Sequence, residues 1–208
     1  MRRGCGRGDG THSPGVAKPG TMAAMEEFQI RVARPSDAPR IARLDVETWR
    51  ATYAGILTTQ FLVGLSAQRR ELGWSAVIER EPRDVRVATD RDGLIVGFGS
   101  CGTSRDRTDG AGEVFTLYVG QDWQDRGVGR KLLVSLFERL VDQGCHSAII
   151  WVLKDNPGRF FYRHLGGREV RHKMFTVGGS RVEAAGYAWR DLPRFLETAA
   201  RAEDTPEP

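Results

Sequence analysis

The sequence predicts an α/β (α+β) domain: a mixed, mostly antiparallel sheet of about seven strands, flanked by four main helices. Three observations predict it. Residues 113–119, Glu-Val-Phe-Thr-Leu-Tyr-Val, form an apolar-rich strand that runs into a glycine-punctuated turn. Val128, Leu132, Leu133, Leu136, Phe137, Leu140 and Val141 then recur at the i, i+3, i+4, i+7 spacing of a helix packed on a sheet. Residues 148–153 are a continuous apolar run of strand length, suited to burial on both faces. A strand, a turn, a helix and a parallel strand therefore follow one another.

In chain order, residues 28–33 read as the first strand. Ser36 is placed to cap a helix that carries Ile41, Leu44, Thr48 and Trp49 on one face. A broken helical region extends from 58 to about 79. Strands at 85–88 and 94–101 flank Asp90-Arg91-Asp92-Gly93, whose Asp-Gly pair favours a reversal. After the motif strand and its helix, Gly144 supplies a C-cap. Asn156-Pro157 opens another helix with proline near its first turn, and Gly166-Gly167 ends it. Strands at 168–177 and 181–190 are joined by Gly178-Gly179, a hairpin signal. Residues 192–202 suit a short helix. The order is βααβββαβαββ.

Composition narrows the function. At 208 residues, 40% hydrophobic and 28% charged, the chain has the balance of an ordinary globular domain. One domain is expected over 26–202, between a disordered leader (1–25) and a loose tail (203–208). Met22 and Met25 precede the first strand, so the natural start is expected near one of them. No apolar run approaches the ~20 residues that cross a bilayer, and the leader lacks the apolar centre of a signal peptide. A cytoplasmic location with no membrane partner is expected.

The net charge of +4 invites a nucleic-acid reading, but Arg2, Arg3, Arg7 and Lys18 against Asp9 place +3 of it before residue 25. The remainder is too nearly neutral to make an electrostatic footprint for DNA or RNA. Three cysteines without Cys-x-x-Cys spacing and four histidines without ligand spacing give no disulfide framework and no metal site.

The turn after the motif strand suits an anion. N–H groups in the first turn of a helix lack intrahelical partners, and the helix dipole adds partial positive charge there. A phosphate satisfies both. Gly127 and Gly129 allow close approach to the main chain, while Gln124 and Arg126 offer side-chain donors. The spacing fits neither the Gly-x-x-x-x-Gly-Lys-Ser/Thr loop nor Gly-x-Gly-x-x-Gly, which weakens NTPase and dinucleotide readings.

The pattern Gln124-x-x-Gly127-x-Gly129 after such a strand resembles the acetyl-CoA signature of the GNAT superfamily of N-acetyltransferases. Asn156 and Tyr162-Arg163-His164-Leu165-Gly166 match that family's Asn…Tyr-x-x-x-Gly pattern, and the resemblance spans about residues 26–190. It implies a sheet whose central parallel pair, 113–119 and 147–153, splays to admit the pantetheine arm of acetyl-CoA. It implies further that main-chain groups of Leu117, Tyr118 and Val119 meet that arm. The N–H groups of Gln124, Asp125, Arg126, Gly127, Val128 and Gly129 then hold the pyrophosphate. Arg130 would reach cofactor phosphates or belong to the solvated helix face. Asn156 would contact the pantetheine.

The implied reaction is direct attack by a primary amine on the thioester in a ternary complex, giving an amide and free CoA. An alkylamine of pKa ~10.4 is only about one part in a thousand neutral at pH 7.4, so a base is needed. Glu113 matches a family glutamate with that task, with Glu47 and Asp45 in reserve. Tyr162 matches the tyrosine near sulfur, where a phenol of pKa ~10 can donate to a departing thiolate whose acid has pKa ~8.5. Core packing is the competing account of Tyr162, and an exposed strand-end carboxylate that of Glu113.

Trp49 and Tyr53, at i and i+4, are either a core stripe or part of an acceptor box. The acceptor is a small-molecule amine, a protein N-terminus or a lysine. A homodimer is the commonest assembly for a soluble chain. The reading from another class is a non-catalytic acyl-CoA-binding module, which needs Gln124 to Gly129 but neither Glu113 nor Tyr162.

Overall fold

The computed structural model describes residues 27–105 and 111–203. Seven strands form one sheet: β1 (Phe28–Val32), β2 (Val85–Asp90), β3 (Ile95–Thr103), β4 (Ala111–Val119), β5 (Ser147–Leu153), β6 (Arg168–Val177) and β7 (Ser180–Trp189). Their lateral order is β1-β2-β3-β4-β5-β7-β6, and β4–β5 is the parallel pair among antiparallel neighbours. The long helices among the described residues are α1 (Ala38–Thr52), α3 (Ala67–Arg80), α4 (Val128–Asp142) and α6 (Leu192–Glu203). Two short ones, α2 (Thr59–Val63) and α5 (Arg159–His164), complete the set. The expected class, strand number and parallel pair are all present. The leader 1–25 and the tail beyond Glu203 lie outside the described residues.

Two element starts differ from expectation. Ser36 does not cap α1. It lies in a 3-10 turn, Pro35–Asp37, where the Asp37 carboxylate accepts the Arg34 N–H at 2.7 Å and pairs with Arg31. The carboxylate thus reaches back to the N–H of Arg34, the residue that caps the 3-10 turn, as the third residue of a capping box does. The helix expected at Asn156-Pro157 begins at Arg159, because the Asn156 side chain folds back to accept the Gly158 N–H at 2.8 Å and makes a turn first.

The core lies on both faces of the sheet. On one face the leucines of α4 seat on a track without side chains. A β-carbon at Gly97, Gly99 or Gly112 would come within 3.0 Å of Leu132, Leu136 or Leu140 respectively, so these glycines let the helix approach the backbone closely. On the other face α1 and α3 pack through Ile41, Leu44, Trp74 and Ile78 onto Val85, Val87 and Phe98. The two faces together fix where the N-terminus of α4 meets the end of β4.

Candidate active site

The site begins with a miscount between two strands. Along β3 and β4 the register runs Gly97↔Val119 to Ser100↔Thr116, then continues Cys101↔Val114, so Phe115 is one residue extra on β4. Such a bulge bends its strand and re-aims side chains. Before it Val114 packs toward α4, and after it Leu117 and Val119 do so, while Tyr118 joins the α1 side. Pairing of β4 with β5 covers Ala111 to Val114 and stops at the bulge. Beyond it the two parallel strands part.

The fork exposes main-chain groups. The Gly120 N–H donates to the Val96 carbonyl at 2.8 Å, which makes Val96 and Gly120 a hydrogen-bonded pair in the antiparallel ladder. Bonded and non-bonded pairs alternate in such a ladder. The peptide groups of Tyr118 therefore face β3, and those of Leu117 and Val119 face the open fork. One of them already has company: the Gln124 side-chain amide donates to the Val119 carbonyl at 3.3 Å.

At the end of β4 the chain turns through Gln121–Trp123 and enters α4. Asp125 (φ 59°) and Gly127 (φ 81°) both adopt the left-handed region. Turns of alternating hand form concave, anion-binding backbone. A β-carbon on Gly127 would meet nothing within 4 Å, so open space lies over this bend. No side chain caps α4, and its first backward bond runs from the Lys131 N–H to the Gly127 carbonyl at 3.1 Å. The N–H groups of Val128, Gly129 and Arg130 thus stand at the helix start with the dipole behind them. These features fit a pyrophosphate.

A cleft of about 840 Å³ joins the fork to this turn. It brings together Leu117, Tyr118, Val119, Gln124, Asp125, Gly127, Gly129, Arg130, Asn156 and Tyr162. Glu47 lines its α1 wall. A second space of about 40 Å³ occupies the gap between the parted strands, walled by Tyr53, Thr116, Tyr118, Trp151, Asn156 and Tyr162. Burial pushes the Tyr162 phenol well above its usual range, so it stays protonated at neutral pH. Its ring packs edge-on against Phe161 and Trp189, which answers the packing question in both senses: Tyr162 is core and also gap wall.

Three expected residues are placed otherwise. Arg126 turns from the cleft toward the Glu27 carboxylate at 3.6 Å and lies over the Trp123 ring. Val128 buries its side chain under the helix, leaving only its N–H for a ligand. Glu113 departs furthest. It lies on the paired side of the bulge, is buried, and is bound through both carboxylate oxygens by the Arg105 guanidinium and N–H. It lines neither space. The sequence spacing was satisfied; the intervening ion pair came from a hairpin that spacing alone does not describe.

Of the reserve carboxylates, Asp45 is also engaged, accepting from Trp74 Nε1 at 3.0 Å and facing Arg70 at 3.5 Å. Burial raises its pKa against the pull of Arg70 and Trp74. Glu47 is open to solvent and loosely paired with Arg40 at 3.6 Å. The sequence reading missed the side chain of Tyr118, whose hydroxyl meets that of Tyr53 at 3.4 Å. Tyr53 resolves into gap wall as well as packing partner of Trp49. The signal that could have found the pair is polar: two phenols in otherwise apolar stripes, each requiring a partner once buried.

A forked parallel pair with an anion-binding turn at its mouth is the architecture of an acyl-CoA-dependent transferase. The chain belongs to the acetyltransferase (GNAT) family, whose model matches residues 44–166. Among curated proteins it is 33% identical over 164 residues to the uncharacterized N-acetyltransferase YuaI of Bacillus subtilis, covering 78% of this chain and 93% of that one. It is also 33% identical over 105 residues to a phosphinothricin N-acetyltransferase of Streptomyces coelicolor, covering 46% of this chain and 61% of that protein. The fold is similar to that of the PaiA N-acetyltransferase from Thermoplasma acidophilum in complex with coenzyme A. That likeness has a TM-score of 0.59 at 19% identity, over 76% of this chain and 97% of the other. The enzyme is an acetyltransferase. Among the described residues no helix is long and apolar enough to cross a membrane.

Proposed function

We propose that the enzyme transfers the acetyl group of acetyl-CoA to a primary amine by direct attack in a ternary complex. The observation that carries this reading is the fork. It exposes the peptide groups of Leu117 and Val119 beside a gap walled by Tyr162, with an anion-binding turn at its end. The pantetheine adds to β4 as an extra strand would. N–H groups from Asp125 to Arg130 take the pyrophosphate, while that of Gln124 already bonds the Gln121 carbonyl. Asn156, already bonded to the Gly158 N–H, shapes the fork and presents its remaining amide to the gap.

Tyr162, held protonated by burial, donates to the thiolate as the C–S bond breaks. The amine must shed a proton, and Glu113 is committed to Arg105. Glu47 is the carboxylate on the α1 wall of the cleft, and we assign it the proton, taken through water. The acceptor is a small-molecule amine, a reading supported by the relative named for phosphinothricin. Release of free thiol from acetyl-CoA across a panel of amines tests the activity and finds the acceptor together. Binding of acetyl-CoA with no thiol release for any amine would support the acyl-CoA-binding module instead.

A further inference from the structure

The gap between the parted strands contains a hydrogen-bond donor that the acid and base roles leave unused. Tyr53 reaches it from the end of α1, where its ring packs on Trp49 with centroids 4.9 Å apart. Tyr118 reaches it from β4, its ring against Phe98 at 5.6 Å. Their hydroxyls lie 3.4 Å apart. A phenol has one hydrogen, and its oxygen accepts. Two hydroxyls that bond each other use one hydrogen between them. The second is left over, and both tyrosines line the gap.

Asn156 lines the same gap as the two phenols. Its Oδ1 is turned to the Gly158 N–H at 2.8 Å, which leaves Nδ2, a group that can only donate, for the phenols. The bond between the two phenols can run either way; where Tyr118 donates and Asn156 supplies the second donor, both lone pairs of Tyr53 are filled and its own hydrogen points to whatever occupies the gap. The matching ligand atom is electron-rich. Resting on the reading of the fork as an acetyl-CoA site, we infer that Tyr53 donates a hydrogen bond to the carbonyl oxygen of the acetyl group, where negative charge gathers as the amine attacks, with Tyr118 and Asn156 as its positioning residues.

The chemistry balances without an added reactant. The amine nitrogen forms a bond to the carbonyl carbon, and the carbonyl π pair moves onto oxygen, held by Tyr53. That pair then returns as the C–S bond breaks, its electrons go to sulfur, which takes the Tyr162 proton, and the proton that the nitrogen gives up through Glu47 and water restores the Tyr162 phenol. Tyr53 keeps its proton throughout. Burial raises the pKa of both Tyr53 and Tyr118, so the donor persists across the working pH range. The arrangement also resists disturbance. Tyr53 is tied through Trp49 and Arg70 to Asp45, then through Trp74 and Phe98 to Tyr118, a closed ring of contacts spanning α1, α3, β3 and β4.

The test is the infrared band of acetyl-CoA labelled with 13C at the thioester carbonyl, recorded on the full-length protein. A hydrogen bond to the carbonyl lowers its stretching frequency. In the wild type the bound band should lie below that of free acetyl-CoA. In Tyr53→Phe it should move back toward the free value, while the affinity for acetyl-CoA changes less than threefold and kcat falls about a hundredfold, as on loss of one oxyanion donor. Tyr118→Phe should leave the band nearer to wild type and cost less in kcat, since the donor itself remains.

A band unchanged by Tyr53→Phe in a protein that binds acetyl-CoA would overturn the inference, as would a larger shift in Tyr118→Phe. Failure of the wild type to bind acetyl-CoA at all would instead remove the reading of the fork on which it rests.

Discussion

Arg105 holds Glu113 by two routes, its guanidinium and its own N–H, on the side of the fork where β4 and β5 are still paired. A carboxylate bound so fully is a structural anchor that ties the chain leaving β3 to β4. Glu113→Gln should therefore keep kcat within about threefold while lowering stability by about 1–3 kcal/mol, the range for losing charged hydrogen bonds at a buried group. Denaturant unfolding beside steady-state kinetics reads both. A thousandfold loss of turnover without loss of stability would return Glu113 to the role of base.

Glu47 carries the opposite expectation. Glu47→Gln should lower kcat by about a hundredfold near neutral pH. The deficit should narrow as pH rises toward the amine's own pKa, because the acceptor then arrives without the proton that Glu47 removes. A pH-independent deficit would point to a binding role.

Gly127 separates conformation from charge. Its φ of 81° penalises any side chain, while the space above it is open. Gly127→Ala should cost about 1–2 kcal/mol of stability and retain binding, whereas Gly127→Asp should abolish the rise in Tm that acetyl-CoA gives the wild type by binding only the folded state. Equal thermal shifts in the Asp variant and wild type would exclude a phosphate there.

Tyr162 should set the alkaline side of the pH profile. Burial raises its phenol above the ordinary value of 10.0, so the protonated, donating form persists through the range in which the amine gains its neutral form. The rate should climb with pH and show no falling limb below about pH 10. Tyr162→Phe should cut kcat about tenfold or more with little change in acetyl-CoA affinity. A falling limb near neutral pH would assign the acid to another group.

Asp45 supplies a stability test. Burial raises its pKa in the folded state above the ordinary 3.8, against the lowering by Arg70 and Trp74. The folded protein then holds this proton more tightly than the unfolded chain, so this group's contribution to stability falls as pH rises from about 3.8 through its folded pKa. The Tm of wild type minus that of Asp45→Asn should thus be more positive at pH 4 than at pH 7. The reverse order would mean that Arg70 outweighs burial.

Much of this was legible in residue order, for physical reasons. The glycine-flanked turn, the leucine stripe of α4 and the buried run of β5 are local patterns, and local patterns survive in one dimension. Asn156 and Tyr162 were legible only because their spacing resembles a family's. What the order of residues did not carry was pairing across distance: Arg105 on Glu113, Glu27 drawing Arg126 from the cleft, and Tyr53 meeting Tyr118. Each depends on a register or a rotamer fixed by the assembled sheet. The bulge at Phe115 is the clearest case, since nothing in Glu-Val-Phe-Thr-Leu-Tyr-Val marks the third residue as supernumerary.

That surplus residue makes chain length itself a determinant of the active site. Deleting Phe115 would restore an unbroken count between β3 and β4 and turn Thr116, Tyr118 and their neighbours by half a strand period. It would also remove the kink at which β4 leaves β5, allowing the parallel ladder to zip onward and bond the peptide groups of Leu117 and Val119 to protein instead of ligand. The result would be a better sheet and a dead enzyme. The proposed thioester slot is thus the consequence of one residue too many.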